Sequence, residues 1–359
     1  MVRPIRVLVV DDSPLVRKTV RRLLEEEPRL TVVGTAADGR EAIDAALRLS
    51  PDVVTLDISM PVMDGLACLG ELVKRLRQRV VILSTLAEVN SFTTFKALAL
   101  GAVDFVTKPG GSVYLQTLEE LGRELREKVL TASAVLPERL GRRPAAGVSP
   151  PREAPPAPRP SAPPAFLRKV VGVGGSTGGA AALETVVRAL PVDLPAALLV
   201  VQHLPPGFSA SFARYLGSVG RIAVRQAEQG ERVEARTVYL APGGKHLRVQ
   251  RTPGGLFLRL DESTAPHGGF RPSIDILFYS LAAAEREGAV GLLLSGMGED
   301  GASGMGAIRK LGGRTLVQDE ASSVVYGMAE RAVRDGVVDD VVALHRLPGV
   351  LLESVRRVA

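Results

Sequence analysis

Residues 5–24 read I-R-V-L-V-V-D-D-S-P-L-V-R-K-T-V-R-R-L-L, and this stretch predicts the architecture of the first part of the chain. Its apolar run at 6–10 has the length of a buried strand, and the acidic residues Asp11 and Asp12 end that run. Apolar residues then recur at helical spacing over 15–26. A strand that leads directly into a helix is the repeating unit of a parallel α/β sheet.

The same alternation continues to about residue 130. Five strand-and-helix alternations predict a doubly wound parallel sheet with helices on both faces. The further strand-like runs lie at 31–33, 53–56, 80–83 and 105–107, and the further helical patterns lie at 40–49, 65–77, 91–100 and 113–130.

A proline-rich segment divides the chain. Ten of the 25 prolines lie between Pro137 and Pro164. Proline lacks an amide donor and fixes its own backbone angle, so this segment builds neither a helix nor a sheet ladder. We therefore predict two domains, at 1–130 and 167–359, joined by a Pro/Ala-rich linker at 131–166.

The second domain is also predicted to be α/β. It begins with a strand at 170–173, a glycine-rich turn and a helix at 180–190, and a second strand follows at 198–202. The pattern predicts another doubly wound parallel sheet with an antiparallel β excursion in its middle. The short β-like pieces lie near 237–240, 247–249 and 256–260, and alternation resumes at 274–284, 290–294, 302–311 and 314–318.

The composition excludes several classes of protein. The net charge is +6, from 45 basic and 39 acidic residues, with no tryptophan and only 4% aromatic residues. So small an excess, without aromatic side chains to stack on bases, does not favour nucleic-acid binding. No apolar run approaches the ~18–20 residues of a membrane span, and the N-terminus lacks the apolar region of a signal peptide. With Cys68 as its one cysteine, the chain is predicted to be cytoplasmic, without membrane insertion, and monomeric.

Polar residues follow several strands of the first domain. The carboxyl ends of parallel strands meet at one sheet edge, so we expect these side chains to lie together. Three carboxylates there suit a Mg²⁺ ion, and one of them could attack a phosphoryl donor while a lysine and a hydroxyl hold the phosphoryl oxygens. The alternative is that the aspartates only cap the helices that follow. The residues concerned are Asp11, Asp12, Asp57, Ser84 with its neighbour Thr85, and Lys108.

Residues 4–125 resemble the receiver domain of two-component response regulators. The resemblance is carried by D-D-S at 11–13, M-P-V-M-D-G at 60–65 and G-A-V-D-F-V-T-K-P at 101–109. It implies that a histidine kinase phosphorylates Asp57 and that Mg²⁺ is held by Asp11, Asp12 and Asp57. It also implies that Lys108 and Ser84, with Thr85 as the alternative, contact the phosphoryl group. The implied switch aromatic, which changes rotamer on activation, is Phe105.

A serine lies on the glycine-rich turn of the second domain. The sequence G-G-S-T-G-G at 174–179 contains G-x-S-x-G, the strand–turn–helix motif that exposes the hydroxyl of Ser176 above a sheet. Glycines there also leave backbone amides to face an oxyanion. A dinucleotide fingerprint would need glycine where Thr177 stands, and a phosphate-binding P-loop would need a lysine after the glycines. A purely structural glycine turn is the remaining alternative.

A base and an acid are available for this serine. His203 ends the neighbouring strand and is the first candidate for the general base, and His246 is the second. The loop S-G-M-G-E-D-G at 295–301 offers Asp300 or Glu299 to orient the imidazole. The order Ser, His, Asp differs from that of the α/β-hydrolases, so it indicates a separate family.

The second domain resembles the catalytic domain of the chemotaxis protein-glutamate methylesterases, the CheB family, over nearly all of residues 168–345. The resemblance implies a triad of Ser176, His203 and Asp300, with Thr177 and Met297 near the oxyanion and no cofactor at the esterase site. Ser273, in R-P-S-I-D, is interpreted either as part of a substrate-binding segment or as a helix N-cap. The matching segments are G-G-S-T-G-G at 174–179, V-Q-H-L-P-P-G-F at 201–208, A-P-G-G-K-H at 241–246, R-P-S-I-D at 271–275, S-G-M-G-E-D-G at 295–301 and Q-D-E-A-S-S-V-V-Y-G-M at 318–328.

These two resemblances together imply a phosphorylation-activated hydrolase. Its substrates would be glutamate methyl esters, and specific glutamines, on the methylated cytoplasmic helices of chemotaxis receptors. A histidine kinase would be the phosphodonor, and the unphosphorylated receiver domain would cover the active site. One alternative is the same chemistry on a target outside chemotaxis. The other is a non-catalytic output domain that binds DNA or a protein.

Overall fold

A computed structural model describes residues 3–84, 92–108, 118–140, 167, 169–265 and 267–356. The chain forms two compact units, Met1–Arg143 and Pro144–Ala359, and each is described by itself. Residues 141–166 of the predicted linker lie outside the described residues, and so does Thr85. Among the helices that are described, none combines the length and hydropathy that a membrane crossing requires.

The first unit is a five-stranded sheet in the order β2-β1-β3-β4-β5. Each neighbouring pair of strands is parallel. This is the strand order of a doubly wound sheet, so the predicted fold is confirmed. The elements are β1 Ile5–Val10, α1 Pro14–Glu25, β2 Leu30–Ala36, α2 Gly39–Leu49, β3 Val53–Asp57, α3 Gly65–Lys74, β4 Arg79–Ser84, α4 Thr93–Leu100, β5 Asp104–Thr107 and α5 Leu118–Ala134.

Strands β1 and β3 are buried almost throughout because helices cover both faces of the sheet. The last four residues of β1 and all five of β3 are buried. The side chain of Ser13 accepts from the amide of Val16 and Pro14 is the first residue of α1, a favourable helix start. Ser13 therefore caps α1, and Asp11 and Asp12 are not needed for that role.

Helix α5 passes the predicted end of the first domain at residue 130. It continues to Ala134, and both Ala132 and Val135 are buried. The guanidinium of Arg79 donates to the carbonyl of Val135 over 2.6 Å, which ties the end of the helix to β4. The proline-rich composition starts only at Pro137, so residues 131–134 have no helix breaker and extend the helix.

The second unit contains a seven-stranded parallel sheet in the order β14-β13-β12-β6-β7-β9-β8 and a two-stranded antiparallel ribbon, β10-β11. Both predicted features, the parallel sheet and the antiparallel excursion, are confirmed. The elements are β6 Lys169–Gly175, α6 Gly179–Ala189, β7 Ala196–Gln202, α7 Ser209–Val219, β8 Ala223–Gln226, β9 Thr237–Leu240, β10 His246–Thr252, β11 Gly255–Asp261, α8 Ile274–Glu285, β12 Ala289–Leu293, α9 Ala302–Lys310, β13 Arg314–Gln318, α10 Met328–Arg334, β14 Asp340–Val342 and α11 Leu347–Arg356.

Strand order reverses at β6, which pairs with β7 on one side and with β12 on the other. Such a reversal opens a crevice at the carboxyl ends of the strands, where α/β sheets bind ligands. Glycines let helix α8 approach this edge. A Cβ on Gly172 would lie 2.8 Å from the ring of Phe278, and one on Gly174 would lie 2.5 Å from Ile274. The first turn of α8 is thereby held beside the end of β6.

We expect Gly65→Ala to destabilise the first domain by about 1–3 kcal/mol. A Cβ at Gly65 would lie 2.1 Å from the backbone oxygen of Asp57 and 2.6 Å from Cα of Ile58, so backbone must move. The matched control is Gly70→Ala in the same helix, where an added Cβ meets nothing within 4 Å. Hydrogen exchange of the β1 and β3 amides in the full chain measures the domain's opening free energy. Equal protection in the two variants would contradict this packing constraint.

Candidate functional sites

Three carboxylates meet at the carboxyl edge of the first sheet. Asp11, Asp12 and Asp57 each offer an oxygen, and these oxygens lie within 4.8 Å of one another. Asp11 and Asp57 are buried, whereas Asp12 is exposed. Carboxylate oxygens so close together repel one another without a cation, and they are the ligands that Mg²⁺ takes in proteins. The donor set therefore fits a hard divalent cation.

Lys108 provides positive charge within this cluster. Its Nζ lies 2.8 Å from Oδ2 of Asp11 and 2.6 Å from Oδ1 of Asp57. Burial lowers the pKa of Lys108, but the hydrogen bonds and charges of the two aspartates outweigh it and raise the pKa above its usual value. The ammonium therefore stays protonated. One ammonium facing three carboxylates leaves the cluster with net negative charge, which favours a further cation.

Ser84 is the last residue of β4, and Phe105 is the second residue of β5. The hydroxyl of Ser84 is fully buried and lies 2.5 Å from the hydroxyl of Thr94 on α4. Its backbone oxygen accepts from the amide of Lys108. The ring of Phe105 is also buried, with the ammonium of Lys128 from α5 at 4.9 Å from the ring centroid. Ser84 therefore lies at the same edge of the sheet as the carboxylates, whereas Phe105 pairs with Ile82 in the interior of β4.

Ser176 lies on the turn between β6 and α6, in the crevice where strand order reverses. Its amide donates to the backbone oxygen of Ser295 over 3.1 Å, and its own carbonyl accepts from Nε2 of Gln202 over 2.8 Å. A Cβ at Gly175 would lie 2.5 Å from the side-chain oxygen of Gln202, so it would displace the amide group that holds the Ser176 carbonyl. The backbone that carries the hydroxyl is therefore fixed from two neighbouring strand ends.

His203 follows β7 beside that turn, and its amide donates to the carbonyl of Gly175 over 3.0 Å. Its Nε2 lies 2.9 Å from Oδ2 of Asp300. Its Nδ1 is buried and has no hydrogen-bond partner among the described residues. The ring therefore has one nitrogen held by a carboxylate and one nitrogen available for another group.

Asp300 lies against the first turn of helix α8. Its carboxylate accepts from the hydroxyl of Ser273 over 2.8 Å, from the amide of Ile274 over 2.7 Å and from the amide of Asp275 over 3.0 Å. Burial raises the pKa of Asp300, but the interaction with His203 and the two amides outweighs it and holds the pKa below its usual value. Asp300 is therefore an ionised carboxylate at neutral pH, as the imidazole partner in a triad must be.

The sequence left two roles open for Ser273, as part of a substrate-binding segment or as a helix N-cap. Its side chain accepts from the amide of Ile276 as the N-cap of α8, and its hydroxyl donates to Asp300. The N-cap interpretation is thus the one that the hydrogen bonds of the structure favour. The motif R-P-S-I-D carried a signal for this role, because serine before an apolar helical run is a common N-cap.

His246, the second candidate base, has both ring nitrogens engaged. Nδ1 accepts from the amide of Ser273 over 3.2 Å, and Nε2 donates to the carbonyl of Ala265 over the same distance. Burial lowers the pKa of His246, which keeps the ring neutral. Glu299, the alternative acid, is exposed and pairs with Arg331. Neither residue contacts Ser176 or His203 through these interactions.

Thr177 and Met297 lie on the two loops that meet at Ser176. The hydroxyl of Ser295 donates to the carbonyl of Thr177 over 2.8 Å. A Cβ on Gly296 would lie 2.8 Å from Cβ of Ser176, so the loop before Met297 packs directly on the serine turn. Thr177 is buried, and the side chain of Met297 is exposed. The structure therefore brings both predicted oxyanion residues to the same end of the sheet.

Comparison with known proteins follows the same division of the chain. Residues 7–118 match the response regulator receiver domain family, and residues 171–351 match the CheB methylesterase family. The protein-glutamate methylesterase/protein-glutamine glutaminase of Symbiobacterium thermophilum is 43% identical over 365 residues, covering 98% of both chains. The protein of the same name from Thermotoga maritima is 37% identical, covering 98% of this chain and 99% of that one. The crystal structure of the Thermotoga maritima CheB methylesterase catalytic domain is 35% identical, with a TM-score of 0.51, over 52% of this chain and 97% of that chain.

A receiver domain followed by an α/β domain with serine, histidine and aspartate at one sheet edge defines a response regulator with a hydrolase-type output domain. Both parts are present here in that order. The chain belongs to the CheB methylesterase family.

We expect Asp300→Asn to make the second domain less sensitive to acid. The pKa of Asp300 in the folded chain lies below its unfolded value near 3.8, so the unfolded chain binds more protons as the pH falls. The stability that the carboxylate contributes is therefore present above pH about 4 and is lost as the pH falls through the folded-state pKa. Hydrogen exchange of β6 and β12 between pH 3 and 6, corrected for intrinsic rates, measures this dependence.

The matched control is Asp275→Asn, because its carboxylate titrates with the opposite sign. Burial, together with the nearby charge of Asp300, raises the pKa of Asp275 above its usual value. The stability linked to Asp275 is therefore present at low pH and is lost as the pH rises. Replacing it should steepen the acid dependence that Asp300→Asn flattens. An acid dependence unchanged by Asp300→Asn would show that this carboxylate does not act as described.

Proposed function

We propose that this chain is a phosphorylation-activated protein-glutamate methylesterase that also deamidates specific glutamines on chemotaxis receptors. The observation that carries the proposal is the state of the His203 ring. One nitrogen is paired with ionised Asp300, and the other is buried without a partner among the described residues, one strand away from Ser176. The names of the full-length relatives support the same reaction and substrate.

In this proposal the hydroxyl of Ser176 attacks the side-chain carbonyl of a methylated glutamate. Nδ1 of His203 accepts the hydroxyl proton and then delivers it to the departing methoxide, so that methanol leaves. Asp300 accepts the Nε2 proton in a hydrogen bond and stabilises the transient imidazolium. Water, activated by the same imidazole, then releases the free glutamate. A glutamine side chain follows the same course with ammonia as the leaving group.

The oxyanion of the tetrahedral intermediate needs donors beside Ser176. We assign this role to the backbone around Thr177 and Met297, which the packing of Gly296 on Ser176 supports. Helix α6 begins directly after the turn, at Gly179, and its N-terminal partial positive charge favours an anion at this position. Charge stabilisation of this kind is usually the largest single contribution to acyl transfer.

The first domain supplies the regulation in this proposal. Asp57 accepts a phosphoryl group from a histidine kinase, and Asp11, Asp12 and Asp57 would hold Mg²⁺. When bound, that ion would neutralise charge on the transferring phosphoryl group. Lys108 holds the Asp57 carboxylate in place and pairs with the phosphoryl oxygens. The hydroxyl of Ser84 exchanges Thr94 for a phosphoryl oxygen, and Phe105 changes rotamer in response.

In this proposal, phosphorylation of Asp57 controls whether the substrate can reach Ser176. The unphosphorylated receiver domain covers the esterase site, and the proline-rich segment joins the two domains. The chain would work in the cytoplasm, where receptor methylation helices and the kinase are found. A target outside chemotaxis would be demethylated by the same residues. The two interpretations therefore differ only in which methylated protein is the substrate.

We expect Ser176→Ala to abolish methanol release from methylated receptor membranes, because alanine has no hydroxyl to attack the ester carbonyl. Phosphorylation of Asp57 should proceed as in the wild type, since the first domain keeps its own site. Ser218→Ala is the matched control, because this hydroxyl only donates to the carbonyl of Tyr215 within α7. Methanol release is measured as labelled methanol that passes from the receptor sample into the gas phase. Release retained by Ser176→Ala would show that Ser176 is not the nucleophile, whereas no release from the wild type would favour a binding-only output domain.

We expect Asp57→Asn to remove the stimulation of methanol release by a small-molecule phosphodonor. The amide has no anionic oxygen to attack phosphorus, although its shape is the same. Asp44→Asn, on the exposed side of α2, is the control and should respond as the wild type does. Initial rates with and without phosphodonor measure the effect. Stimulation that persists in Asp57→Asn would mean that another residue is the phosphoacceptor.

A further inference from the structure

The imidazole of His203 has an aromatic ring on its face. Phe270 stacks on it with a centroid distance of 4.0 Å and an interplanar angle of 7°. Stacked aromatic pairs stabilise their mutual orientation beyond the area that they bury. The Asp300 carboxylate holds one edge of the same imidazole over 2.9 Å. The ring of His203 is therefore fixed by contacts both at its edge and on its face.

A tight turn fixes the position of Phe270 itself. The amide of His267 donates to the carbonyl of Phe270 over 3.1 Å, and the amide of Phe270 donates to the carbonyl of His267 over 3.0 Å. The two residues between them, Gly268 and Gly269, have φ of 60° and 87°. A two-residue hairpin turn with positive φ at both positions strongly prefers glycine, so the sequence H-G-G-F suits this turn.

The chain on either side of the turn is tied down as well. The carbonyl of Arg271 accepts from the amide of Gly244 over 3.1 Å, and its guanidinium donates to the carbonyl of Glu262 over 2.9 Å. Nε2 of His267 lies 3.7 Å from Oδ2 of Asp275, in the first turn of α8. The same helix turn holds Asp300. Phe270 and Asp300 are thus anchored to a common element, and both act on one imidazole.

We propose that Phe270 is a positioning residue for the general base of the esterase. It holds the His203 ring in the plane that directs Nδ1 toward Ser176 while Nε2 stays on Asp300, and it shields one ring face from water. The imidazolium that forms when His203 takes the serine proton also gains from the negative face of the phenyl ring. This inference rests on the proposed function, because it assigns a role within the same site.

Phe270 is half-buried, so a substrate contact is the competing role. A small organophosphorus ester probe separates the two, because it reacts with an activated serine without needing a receptor helix. The experiment measures the second-order rate of Ser176 labelling in full-length protein, together with kcat and KM for methanol release from receptors. The variants are Phe270→Ala, Phe270→Leu and Phe270→Tyr. Phe257→Ala, a half-buried phenylalanine of β11, is the matched control.

We expect Phe270→Ala and Phe270→Leu to be labelled roughly five- to tenfold more slowly, a change of the size that an aromatic pair supports. Their kcat should fall by a similar factor while KM changes less than about twofold. Phe270→Tyr keeps the ring and should restore the wild-type rate, and Phe257→Ala should be unaffected. Labelling at the wild-type rate with a raised KM would instead make Phe270 a substrate contact and overturn the inference.

A spectroscopic measurement covers the case in which Phe270→Ala does not fold. In the wild type and Phe270→Tyr, the stacked ring should shift the His203 ring proton resonances upfield, and Phe270→Leu should lose that shift. Absence of the shift in the wild type would mean that the stack does not form in solution and would overturn the inference. Failure of the proposed function looks different, because Ser176 of the wild type would then not be labelled at all.

Discussion

The ionised carboxylate of Asp300 is the constraint around which the second site is arranged. A buried charge is costly unless donors surround it, and here they are one hydroxyl, two backbone amides and one imidazole. The amides belong to the first turn of α8, whose partial positive charge also favours an anion. Because α8 reaches this edge only where Gly172 and Gly174 leave room, the position of the carboxylate depends on the packing of the sheet. The orientation of His203 follows from where that carboxylate lies.

The first domain also has buried carboxylates at the carboxyl edge of its sheet, but they are paired with an ammonium group. Asp11 and Asp57 share the ammonium of Lys108, and a third carboxylate, Asp12, lies within reach. Three carboxylates there face one ammonium, whereas the carboxylate of Asp300 is surrounded by hydrogen-bond donors. A cluster with net negative charge favours a cation, and a carboxylate surrounded by hydrogen-bond donors stays ionised in place. The two edges therefore suit a switch and a fixed catalytic group, respectively.

Sequence patterns predicted most of the candidate site residues because these residues lie at or directly after the ends of buried strands. Asp57 ends β3, Ser84 ends β4 and Ser176 follows β6, and each position could be read from an apolar run and the polar residue after it. Sequence patterns ranked His203 before His246 because His203 follows a strand, but the spatial partners of the ring nitrogens could not be read from the sequence. Phe270 was missed because its partner lies far away along the chain, although the G-G pair before it is a recognised hairpin signal. Helix α5 ran past its predicted end because residues 131–134 contain no helix breaker and Ala132 is buried.

The contacts described here that orient His203 involve residues of the second domain. Asp300 and Phe270 belong to it, as do Ser273 and the His267 to Phe270 turn that support them. Such a site is preorganised on strand ends and a helix N-terminus, which hold side chains more precisely than free loops do. Under the proposed function, a phosphorylation signal from the first domain therefore does not have to form the pair of His203 and Asp300. Under the proposed function, what the signal has to change is whether a receptor helix can reach Ser176. In that case the pair of His203 and Asp300 stays formed whether or not the first domain is phosphorylated.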